Sequence, residues 1–194
     1  MVTRACLVWL LVGALLPLSL GQAEEAIKPT PQRVVSMNLC TDQLAMLIAE
    51  ENQLVSVSAL ARDPLNSTMA EQAAGYAINH GRAEEIHLLQ PDLVITGRFN
   101  AGPTVELLRR LGISVVVFDP ANSLDDVRQN LIRMGEVLGQ PERAQALVES
   151  FDQRLAMLNE PVLNPPRAAL YFPNGYTRGD NTLLGDMLRT AGFV

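Results

Sequence analysis

From residue 33 to residue 140 the chain alternates short apolar runs with amphipathic stretches. Arg33–Met37, Leu54–Ser58, Leu93–Thr96 and Ile113–Phe118 are rich in β-branched and apolar residues and predict four strands. The unbroken apolar character of Ile113–Phe118 predicts burial on both faces, as in a parallel sheet. Helical spacing takes over between the runs. Leu44, Leu47 and Ile48 fall on one face of a helix over residues 41–51, which Asn38 or Thr41 is placed to cap. Residues 60–68, with Pro64, Asn66 and Ser67, predict a loop, and residues 69–74 a helical turn. Glu84 opens a short helix stopped by Pro91. Pro103 and Gly112 bracket another, the proline at the first helical position and the glycine at the stop. Ser123 and Asp126 have capping-box spacing ahead of a helix ending near Gly139.

Strands alternating with helices predict a parallel, Rossmann-like α/β sheet. The pattern changes at residues 141–160. They predict one long, mostly charged helix, with Ala144, Leu147, Val148, Phe151, Leu155 and Leu158 at helical intervals. Pro161, Pro165 and Pro166 then break the chain. Ala168–Phe172 predicts a strand, Pro173–Asp180 a loop and Thr182–Thr190 a helix, the start of a second α/β lobe. One strand and one helix cannot cover the faces and edges of a sheet, so this lobe is expected to be truncated. The expected organisation is an N-terminal α/β lobe over 33–140, a connecting helix over 141–160 and an incomplete C-terminal α/β lobe over 161–194.

Residues 1–23 predict a cleaved signal peptide. Arg4 supplies the positive start, Ala5–Leu20 is apolar apart from Ser19, and Gly21 and Ala23 put small residues at the cleavage positions. Residues 24–32, with Pro29 and Pro31, predict a flexible mature terminus. The formal net charge is −6, and losing Arg4 with the leader makes it one unit more negative. An acidic chain without clustered Lys and Arg argues against nucleic-acid binding. Cys6 leaves with the leader, so Cys40 has no partner in an oxidising compartment. Cys40 follows an apolar run and opens a helix, which predicts a buried structural thiol.

In order along the chain stand the leader, Arg33-Val-Val-Ser-Met-Asn38, Glu84-Glu-Ile86 and Gln90-Pro-Asp-Leu-Val-Ile95. Leu111-Gly-Ile113 with its valine-rich run and the single long helix complete the set. From residue 32 to residue 194 this order resembles the periplasmic substrate-binding proteins of ABC importers for iron–siderophores and cobalamin. The resemblance implies two lobes joined by a rigid helix, with ligand held between them, no catalysis and a periplasmic location. It implies a small-molecule ligand, an iron chelate or a corrinoid, and no cofactor. It implies an ABC permease of the inner membrane as partner, with the binding protein itself a monomer. It further implies that Glu84 meets arginines of the permease, although a helix amino terminus favours a carboxylate in any case.

Open α/β sheets bind ligands at the carboxyl ends of their strands. Those ends are Met37–Asn38, Leu60–Asp63 and Gly97–Asn100, joined by Asn174–Arg178 from the second lobe. Asn38, Arg62, Arg98, Phe99, Asn100, Tyr176 and Arg178 are therefore the candidate ligand-binding residues. Phe99 and Tyr176, with Tyr171, suit the face of a macrocycle or chelate. Arg62, Arg98 and Arg178 suit carboxylates or an anionic iron complex, because guanidinium donates paired hydrogen bonds. Arg98 stands out by lying directly beyond a strand end behind Gly97. Asp42, Asp125 and Asp126 read as helix-start residues that need no function.

His80 and His87 do not define a metal site, which takes three or four protein ligands; packing or surface roles are expected. A binder of bare zinc or manganese on the same fold is the nearest alternative. An exported α/β enzyme is a further one. Its hydrolase form would need a Gly-x-Ser-x-Gly elbow, which the chain lacks. A nucleotide enzyme would want a glycine-rich loop after the first strand, where Ser36-Met-Asn-Leu-Cys40 has no glycine.

Overall fold

A computed structural model describes residues 29–100, 102–158 and 163–194. The predicted leader and the last two residues of the predicted connecting helix lie outside these residues.

Five strands form one parallel sheet: β1 (Val34–Ser36), β2 (Leu54–Ser58), β3 (Ala77–Asn79), β4 (Leu93–Gly97) and β5 (Ser114–Phe118). Their order is β3-β2-β1-β4-β5. Successive side chains of a strand point to opposite faces, so Val34 and Val35 serve two different cores. On one face Val34, Val57, Leu93 and Ile95 pack against α1 (Leu39–Ile48) and α5 (Leu124–Leu138), through Ala45, Ile48, Leu131, Met134 and Leu138. On the other, Val35, Met37 and Val94 meet Ala83 and Ile86 of α3 (Ala83–Leu88) and Leu108 of α4 (Gly102–Arg110). Helices on both faces let the central strands β1 and β4 bury nearly everything they carry.

The four expected strands are present, and β3 is a fifth that the sequence did not announce. It is three residues long and carries an alanine and an asparagine, so it has little apolar signal. β5 departs from the expectation of two-sided burial. It is an edge strand, and Val115, Val116 and Val117 are only half-buried. In α1 the buried stripe runs through Thr41, Ala45 and Ile48, while Leu47 faces outward. Cys40 is exposed, contrary to the expected buried thiol, because it sits one position ahead of that stripe. Residues 59–62 form a 3-10 turn where a loop was expected.

Ser123 closes a full capping box with Asp126, as the spacing predicts. α5 ends at Gly139, whose φ of 69° is left-handed, and α6 (Pro141–Leu158) turns back along α5. Gly135 makes that approach possible: a Cβ there would lie 2.4 Å from the Cβ of Ala144. Ala144 and Val148 join the sheet's core, and Arg128 of α5 bonds Asp152 of α6 at 2.6 Å while lying over the Phe151 ring.

Beyond α6 stand β6 (Tyr171–Phe172), β7 (Tyr176–Thr177) and α7 (Leu183–Thr190). The predicted loop after Phe172 instead returns as β7, making an antiparallel hairpin. Asp186 of α7 accepts a hydrogen bond from the backbone of Leu124 at 2.7 Å.

Candidate functional site

The chain leaves β1 toward β2 and β3 and returns on the other side of β1 as β4. The strand order reverses between β1 and β4, and the crevice beyond their carboxyl ends is where open α/β sheets hold ligands. Asn38 follows β1 and Asn100 ends the 3-10 turn that follows β4. The Asn38 amide nitrogen donates to the Asn100 side-chain oxygen at 2.9 Å, bridging the reversal point. The Asn38 side-chain oxygen accepts from the backbone of Cys40 at 3.0 Å and so also caps α1. Gly97 permits this arrangement, since a Cβ there would stand 3.1 Å from the Asn38 amide.

Arg98 and Phe99 project from the same turn. Phe99 is 85% exposed, a large ring with little of its surface covered. Arg98 does not stand free. In the parallel register Gly97 lies opposite Phe118, so Arg98 and Asp119 emerge side by side and form a close ion pair. The hydrogen bond and charge of Asp119 raise the Arg98 pKa, and the Arg98 bond holds the Asp119 carboxyl below its ordinary range. Both side chains are more than half exposed.

Under this rim lies a buried polar layer. Asp42 accepts from the Ser58 hydroxyl at 2.5 Å and from its backbone at 3.2 Å, tying α1 to the end of β2. Burial pushes its carboxyl above the ordinary value, against the opposing hydrogen bonds of Ser36 and Ser58. Asn79 of β3 donates to the Ser36 carbonyl at 2.8 Å and to the Ser56 hydroxyl at 2.9 Å. These bonds hold the ends of β1, β2 and β3 in fixed relation. By its spacing Asp42 is a helix-start residue; its burial depends on β2 arriving beside it, which local spacing does not encode.

The remaining candidates are placed differently. Arg62 turns its guanidinium to the carbonyls of Ala73, Ala74 and Tyr76, where it closes the end of α2 (Ala70–Ala73). Tyr176 and Arg178 belong to the β6–β7 hairpin and the residue after it. Tyr176 is exposed, and Arg178 lies over the Phe172 ring at 5.9 Å. Among the described residues neither shares a hydrogen bond with the turns after β1 and β4. Glu84 is exposed in the first turn of α3, with His87 and Leu88 exposed one turn further on. His80 pairs with Glu85, its ring nitrogen 3.0 Å from the carboxylate. Among the described residues no group of three or more His, Cys, Asp or Glu side chains is placed to hold a metal ion.

Comparison with known proteins agrees with this architecture. The cobalamin-binding protein of Halobacterium salinarum is 28% identical over 166 residues, covering 84% of this chain and 45% of that protein. The vitamin B12-binding protein of Photorhabdus laumondii is 28% identical over 187 residues, covering 93% of this chain and 66% of that protein. Among solved structures, the periplasmic heme-binding protein of Roseiflexus sp. RS-1 in apo form superposes with a TM-score of 0.66 at 26% identity, over 84% of this chain and 65% of that one. The chain thus spans about half to two thirds of the length of these relatives. The periplasmic binding protein family matches residues 34–194, which takes in the whole sheet, the long helix and the hairpin, and the chain belongs to that family.

Proposed function

We propose that the protein is the extracytoplasmic solute-binding component of an ABC importer and that its ligand is a corrinoid or a related metal chelate. The observation that carries this reading is the Asn38–Asn100 amide bridge at the point of strand reversal, with the exposed Phe99 beside it. A bare aromatic ring next to fixed amides suits a large ligand with an apolar face and polar substituents. The names of the Halobacterium and Photorhabdus relatives support the corrinoid choice. In this reading the sheet is one lobe, α6 leads to a second, and residues 1–23 are a leader removed on export to the periplasm. Tyr176 and Arg178 contribute to the opposing side of the cleft. Binding without turnover is the whole activity.

Glu84 is the contact to the inner-membrane permease. Its exposure in the first turn of α3, with no hydrogen bond to the amide bridge among the described residues, supports a role separate from ligand capture. Calorimetric titration with cyanocobalamin, ferrichrome and zinc chloride tests the ligand class. Binding of either of the first two supports the proposal, and binding of zinc alone supports the bare-metal alternative. Substituting Glu84→Ala is expected to reduce uptake in cells while the purified protein keeps its ligand affinity; a parallel loss of affinity contradicts the docking role.

A further inference from the structure

We infer that Asp119 sets the charge selectivity of this site: by engaging Arg98 it cancels the cation at the strand-reversal point and turns the site away from polyanionic ligands. The inference rests on the solute-binding reading above. Its ground is an inventory of the three candidate arginines. Arg62 is committed to three backbone carbonyls, and Arg178 lies against Phe172 in the hairpin. Arg98 alone projects from the turn after β4, and Asp119 meets it there through the parallel register of β4 and β5.

The position of Asp119 is fixed by the sheet. Its carbonyl accepts from Asn130 of α5 at 3.3 Å, and the preceding Phe118 is buried with the Arg133 guanidinium over its ring. In open water such an exposed pair is worth little. A ligand that covers it removes the water and strengthens every charge interaction beneath. A carboxylate arriving at Arg98 then meets the Asp119 carboxylate within the same few ångströms, and attraction and repulsion offset. Arg133, the other cation near Asp119, is bonded to the Val117 carbonyl and lies over Phe118, so what is left in the turns after β1 and β4 is uncharged: the Asn38 and Asn100 amides and the Phe99 ring. That chemistry favours a ligand without net charge that carries amide groups.

Two probes separate the cases. Cyanocobalamin is electrically neutral overall, and hemin carries two carboxylates. Both are titrated into the protein, into Asp119→Asn and into Glu149→Gln, which removes one negative charge from α6 instead. The Asp119→Asn side chain keeps the size and an oxygen acceptor. The expected result is a shift of the affinity ratio toward hemin by about fivefold or more in Asp119→Asn, reduced by added salt. Glu149→Gln leaves the ratio where it was, and adding Arg98→Gln to Asp119→Asn abolishes the gain. An unchanged ratio in Asp119→Asn, an equal shift in Glu149→Gln, or a gain that survives loss of Arg98 overturns the inference. In each of those cases the solute-binding reading stands, because a ligand has bound. If neither probe binds any of the proteins, the inference falls, and the solute-binding reading falls with it only if ferrichrome also fails to bind.

Discussion

Residues 34–158 and residues 163–194 use the same kinds of element, yet the first region has two apolar cores and the second has none of its own. The sheet fully buries Val34, Val35, Ile48, Ile86, Val94 and Ile95. Between 163 and 194 Gly185 is the only buried residue, and Tyr171 and Tyr176 stand in solvent. A two-stranded hairpin is marginal in water, and here it has a single helix for company. The hairpin region is held by local bonds, such as Thr177 to the Leu170 carbonyl at 2.7 Å, and by the Leu124–Asp186 contact at 2.7 Å. The contrast teaches that secondary structure alone does not make a stable unit; covered sheet faces do.

The strongest way to break this comparison is to cut into each region equally. Ile95→Ala empties a fully buried site between β4 and the helices and is expected to cost about 2–5 kcal/mol of unfolding free energy. Tyr171→Ala, at an exposed position, is expected to stay within about 0.5 kcal/mol. Urea denaturation of both variants checks the pair, and similar losses would erase the distinction.

A smaller effect tests whether α6 belongs to the sheet region. Gly135→Ala gains up to about 1 kcal/mol of helix propensity but drives a methyl into Ala144, at a cost of about 1–3 kcal/mol. The clash wins if α6 is docked on α5, so the thermal midpoint falls. A rise would mean that α6 does not lie against α5.

The cap on α5 is next in size. Ser123→Ala removes one half of the capping box and is expected to cost about 1 kcal/mol by denaturant titration.

The smallest test is a change of slope with pH. Burial raises the Asp42 carboxyl above its ordinary 3.8, so the folded protein holds that proton more tightly than the unfolded chain. The resulting stability is complete below the unfolded value and is lost as pH climbs through the raised folded one. Denaturation of wild type and Asp42→Asn from about pH 3 to about pH 7 should show the difference moving in the variant's favour. Movement the other way would mean that the Ser58 bonds outweigh burial.

Much of the sheet was legible because its central strands are written as apolar runs. Pro91-Asp-Leu-Val-Ile95 yields a helix stop and a buried strand with no reference to the rest of the chain. β3 escaped notice because Ala77–Asn79 is short and paired only through its neighbour β2. The candidate positions were legible as a set of strand ends, and there Asn38 bonds Asn100, with Phe99 preceding Asn100 in the same turn. What local pattern could not supply was partnership. Arg62 looked like a free cation until the end of α2 brought three carbonyls to it. The pairing of Arg98 with Asp119 spans 21 residues and follows from strand register, which a single sequence leaves open. The signal that could have found it was the strand-end position shared by Gly97 and Phe118.

Phe99 offers the most direct test of the central claim, that ligand is held at the carboxyl ends of β1 and β4. Its ring is 85% exposed, so the fold does not depend on it. Calorimetric titration of Phe99→Ala with cyanocobalamin is expected to show affinity lowered roughly tenfold or more, with the unfolding midpoint unchanged. Wild-type affinity in that variant would place the ligand elsewhere and contradict the account.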